Sequence, residues 1–592
     1  MFFFISAHSS ADVWSRFADR SDSLSSFTSL TGEYHRKKES TFLYEVFNPQ
    51  FPHAKCDRAA AQFFTARCQR CTPVSKVFPV SGHPDGDGIA ALPHTQNASK
   101  SSTSTSWKTS QIVVAAAAAI ASGYVFGKYY SESQQTVIAN DLKYGTLEEM
   151  EKAIAELREI LGEEAISTDD EVLHLHGYSE WSTVNSDRLP VAVAYPKDTE
   201  QVSKIAQVCH KYRVPMVPYS GGSSLEGNFS APHGGISIDF LHMDKIIELH
   251  EDDLHAVRSA IDAWVQLNEE IKDTGLFFPI DPGPPARIGG MVGTNCSDGR
   301  IIKTRHRPRK SSAGYNLTGM FVGSEGTLGI VTEITLKLAV IPEQTRVGVA
   351  TFNSIRDAAS AAMRVMRRGV PIQCMEILDE VQMSIINRAG GTNRVWKECP
   401  TLFFKFSGTK SGVSESISIT KGIAKQSGGT SFEFARNDKE GRDLWSARKE
   451  SLWSMLALRE DGSSDVWSTD VAVPLSRLPD IIELSKKDLD DLGMYACVLG
   501  HVGDGNFHAS VMYDRKNPEQ RAKVEKVVYD MVDRAIEMEG SCTGEHGVGM
   551  GKMSSLIKEL GPETIDVMRS VKRALDPHWL LNPGKIFDAK RK

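Results

Sequence analysis

Two rhythms of apolar and polar positions alternate along this chain. Residues 357–367 and 479–487 carry apolar side chains at the spacing of an amphipathic helix, whereas 401–406 and 466–473 read as strands. Val498-Leu499 and residues 507–512 are further strand-like runs. The stretch Val502-Gly503-Asp504-Gly505-Asn506 between them has the composition of a hairpin loop. Nearer the N-terminus, residues 214–219 predict a strand that runs into a Gly/Ser loop. Thr146, with Glu149 three residues on, predicts a capped helix start. Short helices and strands mix from about 142 to 340, and Ile341-Pro342 marks a boundary. Residues 346 to about 540 predict an antiparallel sheet covered by helices. The fold class is therefore α+β, with no internal repeat.

The first 130 residues have another character. Residues 1–110 are Ser-rich, with a low-complexity run at 99–110, and do not read as a folded domain. Within them, residues 59–67 with Lys55, Arg58 and Arg70 are basic, acid-poor and partly amphipathic, as a mitochondrial presequence is. Residues 112–127 are uncharged and Ala-rich, slightly short of the ~20 residues of a membrane span. Lys108 and Lys128 bracket them, and Tyr124, Tyr129 and Tyr130 sit at one end. This pattern predicts a single anchor over 111–130. The whole chain has 592 residues, 41% hydrophobic and 24% charged, enough for two or three domains. A net charge of -7 argues against general nucleic-acid binding, and the basic run at 303–310 reads as a solvated loop or a surface near a cofactor. Nine irregularly spaced cysteines do not describe a disulfide framework.

Candidate chemistry concentrates near the C-terminus, in Gly500-His501-Val502-Gly503-Asp504-Gly505-Asn506-Phe507-His508 and Thr543-Gly544-Glu545-His546-Gly547. A hairpin brings His501, ending one strand, and His508, beginning the next, to one metal. Adjacent side chains point apart, so Glu545 completes a three-ligand set and His546 remains a free base. Two histidines and a glutamate suit zinc, with manganese and iron as alternatives. Upstream, Ser220-Gly221-Gly222-Ser223-Ser224-Leu225-Glu226-Gly227 follows a predicted strand and offers backbone N–H groups to a pyrophosphate. It lacks both the P-loop ending and the G-x-G-x-x-G fingerprint, and alone it fits a plain loop equally well. Two more glycine clusters follow, at 282–295 and 323–332.

These motifs, PYSGGSSLEG, FPIDPGPPARIGGMVGTN, SSAGYNLTG, FVGSEGTLGIVTE, GHVGDGNFH, GEHGVG and LNPGKIF, resemble those of the vanillyl-alcohol-oxidase-type flavoproteins over roughly residues 140–592. Within them the chain is most similar to the fungal mitochondrial branch that oxidises D-lactate and reduces cytochrome c. The resemblance implies a two-subdomain FAD-binding domain of the p-cresol methylhydroxylase (PCMH) type over 140–345. A substrate and metal domain, the FAD-linked oxidase C-terminal domain, then spans 346–592, and the segment from Ser541 packs back toward the first domain. It implies FAD held by Pro218, Ser220, Gly221, Gly222, Ser223, Ser224 and Gly227, by Pro282, Gly289, Gly290, Gly293, Thr294 and Asn295, and by Glu325, Gly326, Gly329, Ile330 and Asn582. Ser223 and Ser224 stand where relatives with a covalent flavin carry a linking His, so the flavin is expected to be noncovalent.

By the same match His501, His508 and Glu545 are divalent-metal ligands, with zinc first, and His546 is the catalytic base. Arg448 grips the substrate carboxylate, although read alone it is a solvated helix charge. The mechanism implied is oxidation of a small 2-hydroxy acid. The metal acidifies the hydroxyl, His546 takes its proton, hydride passes to FAD, and cytochrome c receives the electrons. An inner-membrane anchor then leaves the catalytic domains facing the intermembrane space. The same motifs allow D-2-hydroxyglutarate or glycolate as substrate, and the fold also supports nonredox chemistry, as in ether-lipid synthesis.

Two departures from the resemblance stand out. After Asn295-Cys296-Ser297-Asp298 the chain runs straight into Gly299-Arg300, about one loop and one buried strand shorter than relatives. Losing such a strand costs several kcal/mol in unpaired backbone and empty core. In Val257-Arg258-Ser259-Ala260-Ile261-Asp262, Arg258 and Asp262 replace apolar strand positions. These departures motivate a further reading, an anchored chain without flavin.

Overall fold

The computed structural model describes residues 142–590, apart from 181, 260–262, 281, 283–285, 295–307, 309–311 and 460–463. The predicted presequence and anchor, Asn295, Asp262 and the shortened segment after Asp298 lie outside these residues. Among the described residues no helix is long and apolar enough to cross a membrane.

The helix Leu147–Leu161 starts as its capping residues predict. The Thr146 hydroxyl accepts from the Glu149 N–H, and the Glu149 carboxylate accepts from the Thr146 N–H at 2.6 Å. Met150, Ala153, Ile154 and Leu157 recur every third or fourth residue and are buried with Val202, Ile205 and Ala206 of the helix Thr199–Tyr212. Both helices cover a four-stranded sheet of β1 (Ile166–Ser167), β2 (Ala192–Ala194), β3 (Met216–Tyr219) and β4 (Ile236–Asp239), in the order β1-β2-β4-β3. Pairs β2/β4 and β3/β4 are parallel.

A second, antiparallel sheet joins β5 (Ile246–His250), β6 (His255–Ser259) and, after the short β7 (Leu276–Phe277), β8 (Glu333–Lys337) in the order β5-β6-β8. β7 pairs with β9 (Ala339–Val340). Arg258 of β6 is fully buried and its Nη1 donates to Glu270 Oε2 at 3.0 Å. A helical glutamate thus accommodates the charge that looked out of place in a strand.

The next sheet carries the chemistry. Its strands are β10 (Gln344–Phe352), β11 (Cys374–Leu378), β12 (Thr401–Gly408), β13 (Gly429–Phe434), β14 (Ser464–Ser468), β15 (Val471–Ala472), β16 (Ala496–Gly500) and β17 (Asn506–Asp514). The order is β13-β10-β12-β11-β16-β17-β14, all antiparallel, with β15 also pairing β17. The predicted helices appear as Ile355–Arg367 and Leu478–Asp491, packed on the sheet's core. The single strand expected over 466–473 is instead broken at Thr469-Asp470, where the Asp470 carboxylate turns inward to bind a loop.

The chain then returns to the first sheet. Leu580 and Leu581 are buried with β2–β4, and Asn582 N donates to Met216 O at 2.7 Å.

Candidate active site

β16 and β17 form the predicted hairpin, with Leu499 opposite His508. His501 follows β16 directly, so both imidazoles reach the same end of the sheet. Their ring centroids are 5.4 Å apart. Each ring spends Nδ1 on an acceptor: His501 on Glu376 Oε1 at 2.8 Å, His508 on the Thr469 carbonyl at 3.0 Å. That orients the rings and leaves both Nε2 atoms facing Glu545 Oε1, at 3.3 and 3.2 Å. His501, His508 and Glu545 are all buried, and their ligand atoms lie within 4.8 Å of one another. Nitrogen and oxygen donors with oriented rings are what a divalent ion of the zinc type takes.

Glu376 was not singled out by sequence. It is a carboxylate inside the apolar strand Cys374–Leu378, and that mismatch was the available signal. Its Oε2 lies 3.0 Å from Arg448 Nε, so one buried carboxylate ties Arg448 to the His501 ring. Burial opposes ionising Glu376, but Arg448 and His501 hold its carboxyl down at about 2. Burial alone would lower His501, whereas Glu376 and Glu545 raise it to about 9. Arg448 itself is buried in the helix Asp438–Ala457 and is no solvated surface charge.

Glu545 and His546 lie in a glycine-bracketed loop, as expected, but their side chains do not point apart. His546 Nε2 is 3.8 Å from Glu545 Oε1, and both residues line one cleft. The reason is local. Asp470 Oδ2 accepts from the backbone N–H of Gly544, Glu545 and His546, curling the loop around one carboxylate instead of extending it. Burial pushes the His546 imidazole down to about 4, so it is neutral near pH 7.

The cleft opens to solvent, and together with the solvent at its mouth it spans about 970 Å³ of empty space. Of the residues predicted to hold FAD, Pro218, Ser220, Gly221, Gly222, Ser223, Ser224, Gly289, Gly290, Gly293, Thr294, Glu325, Gly326, Gly329 and Asn582 line it. Gly227, Pro282 and Ile330 do not. Gly227 (φ +68°) serves a turn whose added Cβ would meet the Val184 carbonyl at 2.6 Å, and Ile330 packs against the first core. Sequence reading missed Tyr219, Asn228, Phe229, Phe240, Arg287 and Phe321 in the lining, since only the folded loops collect them.

The lining fits a flavin dinucleotide. A Cβ at Gly293 would meet nothing within 4 Å, and one at Gly290 only Ser220 at 3.9 Å or more, so these glycines leave room where the backbone faces the cleft. Ser220 Oγ is buried there without a hydrogen-bond partner, a group that a polar ligand would satisfy.

Comparison with known proteins agrees with this geometry. The FAD binding domain model matches residues 190–304, and the model for the C-terminal domain of FAD linked oxidases matches residues 341–586. The mitochondrial D-lactate dehydrogenase [cytochrome] of Kluyveromyces lactis is 40% identical over 79% of this chain and 88% of its own length. The chain belongs to this family of FAD-linked oxidases. Its Arabidopsis thaliana relative of the same description is 42% identical over 73% of this chain and 80% of that one. The family extends to the glycolate oxidase subunit GlcD of Bacillus subtilis, 30% identical over 70% of this chain and 93% of that one. Among solved structures, 4-ethylphenol oxidase from Gulosibacter chungangensis superposes with a TM-score of 0.61 at 17% identity, covering 76% of this chain and 99% of its own. An alkyldihydroxyacetonephosphate synthase gives 0.57 at 18%, covering 73% and 85%. At such identities these two share the FAD-linked oxidase fold, an FAD-binding domain followed by a helix-covered antiparallel sheet.

Proposed function

We propose that this chain oxidises D-lactate to pyruvate, using noncovalent FAD and a divalent metal, zinc first, and delivers the electrons to cytochrome c. The observation that carries this reading is the meeting of a neutral buried histidine, His546, with the His501–His508–Glu545 cluster, of which Glu545 reaches, beside His546, the wall of a glycine-lined cleft. The relatives' shared description supplies the substrate and the acceptor.

When bound, FAD supplies a two-electron acceptor and the metal supplies a Lewis acid for the substrate hydroxyl. The chain's own residues do the rest. His546 removes the hydroxyl proton, which a neutral imidazole can do at pH 7. Arg448 binds the substrate carboxylate, its guanidinium held in orientation by Glu376. Glu376 and the Thr469 carbonyl keep His501 and His508 in the tautomer that presents Nε2 to the ion. The glycines and Ser220 receive the dinucleotide.

Mitochondrial targeting, an inner-membrane anchor over 111–130 and catalytic domains facing the intermembrane space complete the proposal. The N-terminal pattern supports the targeting segment and the anchor, and the relatives' mitochondrial descriptions support the compartment. The glycolate oxidase relative makes glycolate the substrate to discriminate against, with D-2-hydroxyglutarate beside it. Cytochrome c reduction assayed with D-lactate, L-lactate, glycolate and D-2-hydroxyglutarate is expected to give the highest kcat/KM with D-lactate. A higher value for glycolate or D-2-hydroxyglutarate would reassign it.

A further inference from the structure

Glu545 and His546 sit on a segment, Thr543 to Gly549, that belongs to no helix or strand. Its polar groups run instead into two buried carboxylates from remote parts of the chain. Asp470 Oδ2 accepts from Thr543 Oγ1 at 2.7 Å and from the N–H groups of Gly544, Glu545 and His546 at 2.8, 2.9 and 3.0 Å. Glu325 accepts from Val548 N at 2.6 Å through Oε1 and from Gly549 N at 2.9 Å through Oε2. Between the two groups lies Gly547, at φ +77°, where a Cβ would meet Glu325 Oε1 at 2.7 Å.

Each carboxylate is itself anchored. Asp470 Oδ1 accepts from Asn506 Nδ2 at 2.7 Å, in the strand that carries His508. Lys552 Nζ donates to the Asp470 carbonyl at 2.7 Å. Glu325 Oε2 accepts from Asn228 Nδ2 at 2.6 Å on the cleft wall.

We propose that Asp470 and Glu325 are positioning residues that hold this loop by its backbone and so set where Glu545 meets His501 and His508 and where His546 faces the cleft. The proposal rests on the reading of that cluster as a metal centre. Its chemical logic is one of donors. Eight N–H or O–H groups, six of them from the loop, point at two carboxylates, and an ionised carboxylate accepts on both oxygens. An amide at position 470 sets its NH₂ against either Asn506 or the loop. Because the loop carries a ligand and the base together, a small displacement changes metal affinity and turnover at once while leaving the flavin cleft in place.

The test uses the FAD-loaded full chain titrated with zinc chloride against a competing chelator, with flavin absorbance and melting temperature recorded alongside. Asp470→Asn is expected to keep its flavin, bind zinc about 10- to 100-fold more weakly, and lose kcat with little change in KM. Thr543→Val removes a single donor and is expected to weaken zinc binding severalfold, while Thr543→Ser restores it. If Asp470→Asn does not fold, the Thr543 pair decides. Wild-type zinc affinity in folded Asp470→Asn, or in Thr543→Val, overturns the clamp alone. Absence of zinc binding by the unaltered chain overturns the metal reading beneath it.

Discussion

His501 shows how one residue's environment sets a measurable property of the site. Its ring must be neutral at Nε2 to bind a metal, yet Glu376 and Glu545 raise its pKa to about 9 without one. Metal and proton therefore compete. Below that pH, zinc affinity is expected to fall up to about tenfold per unit of acidification, which titration at pH 6, 7 and 8 would show; a flat profile contradicts the ligand role. His546 behaves oppositely. Held down to about 4 by burial, it is already neutral at pH 7, so at saturating zinc kcat/KM is not expected to show an acid limb near the ordinary histidine value. His546→Gln is expected to lower kcat about 10²- to 10⁴-fold at unchanged zinc content; unchanged kcat would assign the base elsewhere. The three histidines and Glu545 were legible because glycines bracket them in two short motifs. Glu376, Asp470 and Asn228 were not, because each is a lone polar residue whose partners lie dozens to hundreds of positions away.

Elements were easiest to read where one physical cause dominates. The helix Leu147–Leu161 follows from its capping box and apolar stripe, and the β16–β17 hairpin from glycine-rich turn chemistry between two apolar runs. Periodicity misread 466–473, since nothing local reveals that Asp470 faces a loop some seventy residues later. Gly544 belongs to this scale as well. A Cβ there would lie 2.0 Å from Asn506 Nδ2 and 2.9 Å from Asp470 Oδ1. Gly544→Ala is expected to push the loop off both, lowering kcat at least tenfold while flavin absorbance persists; steady-state kinetics with a visible spectrum checks this. Beside the second sheet, Glu270→Ala removes a carboxylate to which the buried Arg258 donates. The protein is expected to lose about 1–3 kcal/mol, seen as a lower melting temperature.

At the scale of the molecule, the C-terminus closes what the first sheet opens. Asn582 Nδ2 donates to the Asn228 carbonyl at 2.9 Å and to the Glu325 carbonyl at 2.7 Å, joining the last turn of the chain to the cleft wall. The cleft and the His–Glu cluster therefore share one network through Asn228, Glu325 and the 543–549 loop, whose Glu545 and His546 line the cleft. The direct test is the visible spectrum of the purified chain before and after anaerobic D-lactate. A flavin spectrum that bleaches with D-lactate and persists with L-lactate is the expected result. A colourless protein, or a flavin that D-lactate leaves oxidised, would contradict the assignment of this chain as a D-lactate oxidising flavoenzyme.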